Sequence, residues 1–430
     1  MKAKLIYYYD LGLNQYVRYK KIGQDISLSI LYRIGIVAIN FISGVIVSRE
    51  LLQANRGVFQ LFLTSLVLFN TLLNFGFNNS VAYFAQKNPE KLRLYLSNNF
   101  ILSIVSSVII AICLVIFKNF FTFQSSALVV LFVFSYVCYS FSAIYRGVLI
   151  GINKTLYYQK LDFYLRLTYF VAVLLFYYLD SLTVFNILLY ISLEYLLFSV
   201  IASRHIGLKL FPLQLETSFL KETFSFNTKT YISMVLGFAI LRLDQYAIKF
   251  FLGNYNVGQY SAGSTIVENM CLVTGMISAF YLPKLLASND LNEILKKSNK
   301  LLFIMFFISV MMSIVVYFLS PFIIELYFKK ENLEGTNSLR ALLIGFVFWS
   351  LFIFIQTIYL SIRFKKSLLV IMFFCLVLNF IINYIYLPKL GIIAAAWSSS
   401  ITYFLLFILS YFDLFYLKKK NFLNKVSNEE

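Results

Sequence analysis

The chain has 430 residues, 60% of them hydrophobic and 13% charged, with a mean hydropathy of +0.79. A soluble domain is about one-quarter charged and somewhat under half apolar, so a single water-soluble globule is excluded. The 37 Lys+Arg against 19 Asp+Glu leave a formal charge of +18, an excess that fits either nucleic acid or a membrane surface.

Residues 1–27 are polar and rich in tyrosine, with no apolar signal core and no small-residue cleavage site. They read as a retained segment, in the cytoplasm or along the interface. A membrane helix needs about 20 mostly apolar residues to cross about 30 Å of hydrocarbon. About twelve such runs follow, near 28–48, 57–84, 98–117, 126–150, 165–180, 183–203, 226–250, 256–281, 299–320, 339–361, 367–387 and 391–416. The fifth is short, and the second is long and polar at its far end. All five prolines fall at or beyond the ends of these runs, where they leave a long helix unbroken.

The expected fold is therefore all-α: a polytopic membrane protein of about twelve helices, in two six-helix lobes around a central cavity. The lobes are residues 28–203 and 226–416, joined by a cytoplasmic linker at 204–225 and followed by a basic tail at 417–430. Division into two such halves is a pattern of membrane carriers. Alternate loops, counted from the N-terminus, hold most of the basic residues, among them Lys2, Lys4, Arg18, Lys87, Lys154, Arg204, Lys296, Arg363 and Lys418. Asymmetry of that kind places both termini in the cytoplasm. It also removes nucleic acid as a partner, because the excess is spread over many short loops.

No G-x-x-x-x-G-K-[ST], G-x-G-x-x-G or G-x-S-x-G string occurs, so ATP-driven transport and a serine-elbow hydrolase find no motif. The four cysteines, Cys113, Cys138, Cys271 and Cys375, lie in separate apolar runs and read as buried small hydrophobes. The single histidine, His205, stands in a basic interhelical segment, and no zinc spacing exists.

Ionisable groups inside spans are costly and face a cavity or a partner, so their alignment at about 100° per residue is informative. In the second run Gln60, Thr64, Thr71, Asn74 and Asn78 share one face, and in the first Ser29, Arg33, Asn40, Ser43 and Gly44 do so. Ser135, Tyr139, Ser142 and Arg146 align in the fourth. Thr230, Ser233, Gly237 and Asp244 align in the seventh, and Ser261, Ser264, Thr265, Glu268 and Gly275 in the eighth. One hydrated cleft between the lobes would account for these stripes. Helix-to-helix adhesion by small and polar residues is the alternative. Arg146, Arg166 and Arg242 can snorkel to an interface, Asp162 and Arg166 form an i,i+4 pair, and Glu194 stands near the middle of the sixth run as a proton or counter-ion site.

Several strings carry a resemblance. Leu51-Leu52-Gln53-Ala54-Asn55-Arg56-Gly57-Val58-Phe59-Gln60-Leu61 is similar to an L-L-G-P-x-x-x-G-x-x-x-L stretch, with Gln53-Ala54 in place of Gly-Pro. Asn74-Phe75-Gly76-Phe77-Asn78-Asn79-Ser80-Val81-Ala82 resembles G-L-x-x-A. Leu241-Arg242-Leu243-Asp244-Gln245, Phe251-Leu252-Gly253 and Gly258-Gln259-Tyr260-Ser261-Ala262 resemble R-x-D-x-x-x-L-G followed by G-x-Y-x-x-A. Leu282-Pro283-Lys284-Leu285 and Leu387-Pro388-Lys389-Leu390-Gly391 are further landmarks. In this order, from residue 50 to about 400, they resemble bacterial polysaccharide-unit flippases (Wzx-type O-antigen translocases) of the multidrug/oligosaccharidyl-lipid/polysaccharide exporter superfamily.

That resemblance implies a non-enzymatic transporter in the bacterial cytoplasmic membrane that works by alternating access. Its implied cargo is an undecaprenyl-pyrophosphate-linked oligosaccharide, the precursor of O-antigen, capsule or a related polysaccharide. Membrane lipids and other polysaccharide-assembly proteins are the further implied partners, and no cofactor is implied beyond coupled H+ or Na+. Guanidinium groups bind phosphate oxygens in a bidentate manner, so Arg33 and then Arg146 are the expected pyrophosphate ligands. Asn40, Gln60, Thr64, Thr71, Asn74 and Asn78 would suit sugar hydroxyls, and Glu268, Asp244 and Glu194 would carry the coupling ion. A cation-coupled drug exporter or a lipid II flippase keeps the fold and changes the cargo; the arginines disfavour a cationic drug. A membrane glycosyltransferase or polymerase would need a large outer loop, and every outer loop here is short.

Overall fold

A computed structural model describes residues 27–77, 81, 85, 89–116, 125–207, 217–286, 291–328, 333–362 and 365–426, and among them finds helices, turns and no strand. Twelve long helices follow one another: α1 (Ser27–Glu50), α2 (Gln53–Leu73), α3 (Leu92–Ile116), α4 (Ser126–Gly151), α5 (Thr155–Tyr178), α6 (Val184–Ile206), α7 (Thr217–Leu252), α8 (Asn254–Leu286), α9 (Leu291–Phe328), α10 (Leu333–Ser361), α11 (Lys366–Leu390) and α12 (Ile392–Val426). They correspond one to one with the apolar runs. Ten are long and apolar enough to cross a membrane. The other two, α7 and α8, are long but more polar, and they are the helices that carry Arg242, Asp244 and Glu268.

The helices outlast the apolar runs. Helix α5 begins at Thr155, ten residues before the short fifth run, so Tyr158 and Asp162 lie on a helix although they precede that run. Pro283, Pro321 and Pro388 likewise fall inside α8, α9 and α11, close to their ends, where one missing backbone donor is tolerated. One run is interrupted rather than extended. Helix α2 stops at Leu73, Asn74 caps it with its N–H on the Asn70 carbonyl, and Phe75 and Gly76 take positive φ of 49° and 78°. The second run is thus not one helix over 57–84, and Asn78 lies outside the described residues.

Contacts gather the chain into two compact units. The first comprises residues 1–47, 77–107 and 133–217. Its core joins Leu92 and Leu96 of α3 to Ile144, Val148 and Leu149 of α4, Leu165 of α5 and Phe198 and Ala202 of α6. Two tight turns build it. Between α4 and α5 the Lys154 N–H returns 2.8 Å to the Leu149 carbonyl through Asn153 at φ 58°. Before α6 the Thr183 hydroxyl accepts the Asn186 N–H at 3.2 Å as an N-cap.

The second unit comprises residues 48–76, 108–132 and 218–430. Its central helix is α10, which packs against α8, α9 and α12 and buries Phe346, Phe352, Phe354, Ile355 and Ile358 completely. Helix α2 packs on α8 in the same unit. Helices α11 and α12 are joined by Gly391, at φ 67° and ψ −156°, backbone open only to glycine. The α10–α12 seam is close because its residues are small. A Cβ on Gly345 would stand 2.5 Å from Ser400 Oγ and 2.8 Å from its Cα, while Ser400 donates to the Ala341 carbonyl at 2.7 Å. Association in lipid depends on such backbone approach. Gly345→Leu is therefore expected to destabilise the chain by about 1–3 kcal/mol through overpacking, read as a lower melting temperature in detergent. Gly275→Ala on α8, with nothing within 4 Å of its added Cβ, is expected to melt with the wild type.

Candidate functional site

In the first unit three guanidiniums and two carboxylates gather on α1, α4, α5 and α6. The α4–α5 turn sets Arg146 opposite Asp162, and they pair at 2.9 Å. The guanidinium also lies over the Phe198 ring, 4.8 Å from its centroid, with Tyr139, Tyr158 and Tyr195 in electrostatic reach. One helical hairpin further, α5 and α6 run antiparallel and bring Arg166 to Glu194 at 3.2 Å. Glu194 is 2% exposed, so its charge persists only beside that cation. Arg166 is also held over Tyr169, 5.6 Å from the ring centroid. The ion pairs cross between helices and replace the expected i,i+4 pair of Asp162 with Arg166. Neither Arg146 nor Arg166 is a lone snorkelling cation.

Arg33 differs from both. It is half-buried on α1, hydrogen-bonded to the Tyr158 hydroxyl, and forms no ion pair with a carboxylate among the described residues. Tyr158 also interacts with Arg146 and Asp162, so one phenol links the two arginines expected to bind phosphate. Asn40, two turns along α1 from Arg33, is half-buried. Sequence reasoning missed Tyr158 because residues 151–164 fall between two apolar runs.

In the second unit the polar side chains form two groups. Arg242 of α7 donates to Glu268 of α8 at 2.5 Å and to the Thr64 hydroxyl of α2 at 3.3 Å. Thr64 donates to Gln245 Oε1 at 2.8 Å, and Gln245 Nε2 reaches Ser264 at 3.4 Å. Arg242 is thus fixed by the neighbouring helices rather than snorkelling. Asp244 faces elsewhere: it is 2% exposed and accepts from the Tyr260 hydroxyl, from Ser399 of α12 at 3.3 Å and from the Gln245 N–H at 2.7 Å. On the Asp244 stripe Ser233 accepts from the half-buried Gln356 at 2.9 Å and Gly237 meets the buried Met372. On that stripe Ser233 and Asp244 are buried, and Thr230 and Gly237 are half-buried.

The remaining residues of the α2 stripe are dispersed. Gln60 is half-buried, Thr71 spends its hydroxyl on the Val67 carbonyl of its own helix, and Asn74 is buried at the cap. A further group escaped the sequence reading. Asn379 and Asn383 of α11 bond to each other, and reach Thr402 at 3.2 Å and Ser398 at 3.1 Å on α12. Two asparagines at i,i+4 in an otherwise apolar helix were the available signal. Among the described residues no cluster of His, Cys, Asp and Glu has metal-binding geometry.

A family model described as "Polysaccharide biosynthesis protein" matches residues 22–285, more than half of the chain. Two curated relatives match in part. A Shigella flexneri protein named as an O-antigen transporter is 26% identical over 188 residues, 42% of this chain and 44% of its own length. The capsular polysaccharide biosynthesis protein CapF of Staphylococcus aureus is 28% identical over 200 residues, 45% of this chain and 49% of its own. The matched stretch spans about half the length of these relatives. Two solved structures share the fold. The lipid II flippase MurJ in an inward closed conformation superposes with a TM-score of 0.68 at 16% identity, covering 90% of this chain and 87% of that one. An inward-facing multidrug resistance MATE transporter of the MOP superfamily gives 0.66 at 15% identity, covering 90% and 99%.

The Arg166–Glu194 pair generates a test of the charge cluster. Removing one member of a buried pair leaves an uncompensated charge, which costs about 3–5 kcal/mol. Arg166→Gln is expected to lower the melting temperature sharply, and the double variant Arg166→Gln/Glu194→Gln to recover most of the loss. Equal melting of the wild type and the single variant would show that the pair contributes no stability.

Proposed function

The chain belongs to the polysaccharide biosynthesis protein family, and from that membership we propose that it carries a lipid-pyrophosphate-linked oligosaccharide repeat unit across the bacterial cytoplasmic membrane. The supporting observation is the contrast among its arginines. Arg146, Arg166 and Arg242 each have a carboxylate, while Arg33 has a phenol and none among the described residues. In low dielectric a guanidinium without a counter-charge favours an anion strongly, and a pyrophosphate offers oxygens for a bidentate contact. Arg33 is the primary ligand in this reading, Tyr158 holds it beside Arg146, and Asn40 on the same helix meets a sugar hydroxyl. The names of the O-antigen and capsule relatives agree with such a cargo.

Carriage proceeds by alternating access between the halves 28–203 and 226–416, with both termini in the cytoplasm. The crossing of α2 and α8 is suited to that cycle. A Cβ on Gly57 would lie 2.0 Å from the Asn254 carbonyl oxygen, and one on Gly258 2.3 Å from the Gln53 carbonyl oxygen. The two helix starts thus meet backbone to backbone in a reciprocal contact that a side chain at either glycine would push apart. Glu268 and Asp244, in electrostatic reach of each other and of Arg242, carry the coupling proton or Na+, and Glu194 serves as counter-ion to Arg166.

Three measurements test these assignments. Arg33→Ala is expected to abolish export of the lipid-linked unit while the protein remains in the membrane, and Arg33→Lys to retain part; full export in the alanine variant makes Arg33 structural. Gly258→Leu is expected to stop export by holding the crossing apart, and undiminished export would remove the crossing from the cycle. For coupling, export by Glu268→Gln is expected to stop responding to collapse of the ion gradient, whereas a wild-type response removes Glu268 from that role.

A further inference from the structure

A groove of about 450 Å³ runs along the second unit between α9 and α10. Its α9 wall is a row of residues four apart, Phe306, Val310, Ile314 and Phe318, and Ile344 and Val347 face them from α10. Ser313 also lines the groove but spends its hydroxyl on the Leu343 carbonyl at 3.1 Å. A sugar lying there would find almost nothing to hydrogen-bond, whereas a hydrocarbon chain would lose nothing.

One end is different. Arg340 closes the groove beside Tyr317 and Phe318. It is the last charged residue before the uncharged run 341–361 of α10, so it stands where the apolar part of that helix begins. Its Nε donates to Ser320 at 3.0 Å, and its guanidinium lies over the Tyr317 ring, 4.6 Å from the centroid. These two contacts hold the plane of the group. They leave the two terminal nitrogens without an ion-paired carboxylate among the described residues.

We infer that this groove binds an anionic diacyl phospholipid, one acyl chain lying along the α9 row and the phosphate held by the Arg340 fork. The lining argues for a phospholipid over the carried lipid. A single guanidinium matches the single negative charge of a phosphodiester, while the sugars of the carried lipid would meet an almost wholly apolar wall. The apolar wall favours any lipid, and the fixed cation selects among them. The site is independent of Arg33 and of the proposed cargo.

Native mass spectrometry of the purified full-length chain tests the assignment, with dioleoyl phosphatidylglycerol and dioleoyl phosphatidylcholine as probes. The wild type is expected to retain phosphatidylglycerol about tenfold more strongly, the effect of one charge-assisted contact. Arg340→Gln is expected to erase that preference. Ile344→Trp, which fills the groove and keeps the guanidinium, is expected to lower retention of both lipids, so the result does not depend on one variant folding. Equal retention of the two lipids by the wild type, or an undiminished preference in Arg340→Gln, overturns the proposal. Displacement of bound phosphatidylglycerol by an equimolar polyprenyl pyrophosphate also overturns it, by assigning the groove to the carried lipid.

Discussion

A guanidinium placed among membrane helices must find a counter-charge or a polar or aromatic partner, because the surrounding medium supplies none. Much of the polar architecture follows from that constraint. The first unit meets it with Asp162 and Glu194, each reached across a helical hairpin, and the second with Glu268. Aromatic rings add to the screening: Phe198 lies against Arg146 and Tyr169 against Arg166. Such pairs contribute little net stability over an apolar core, and breaking one is costly. They are best understood as fixing helix register.

The two units solve helix association differently. In the second, small residues let α10 and α12 approach, and buried hydroxyls and amides fasten the seams: Ser400 to Ala341, and Asn383 to Ser398. In the first, ion pairs and tyrosines occupy the corresponding space between α4, α5 and α6. A charged and phenolic interior is a costly way to hold helices together.

The fold was largely legible because a span is a property of one segment: an apolar run long enough for the bilayer folds as a helix whatever its neighbours. Interruptions were less legible. The break after α2 depends on Phe75 and Gly76 adopting positive φ, which hydropathy does not register, although Asn74 and Gly76 together were a hint. Partner choice was not legible. Rotation about a single helix axis places residues on a face, but Glu268 reaches Arg242 from the next helix, through an antiparallel register that the α7–α8 turn decides. The start of α5 was hidden in the same way, since Tyr158, Lys160 and Asp162 are too polar for a hydropathy window and belong to the helix nonetheless.

The central claim is that Arg33 is kept free of carboxylates so that an anionic headgroup can take their place. Equilibrium binding of polyprenyl pyrophosphate and of the matching polyprenol to the purified chain tests this without requiring transport. The account predicts that the wild type prefers the pyrophosphate by about tenfold or more, the effect of a charge-assisted contact. It predicts that Arg33→Gln loses that preference although Arg146, Arg166 and Arg242 remain. A preference that survives in Arg33→Gln would contradict the account and move anion recognition to another part of the chain.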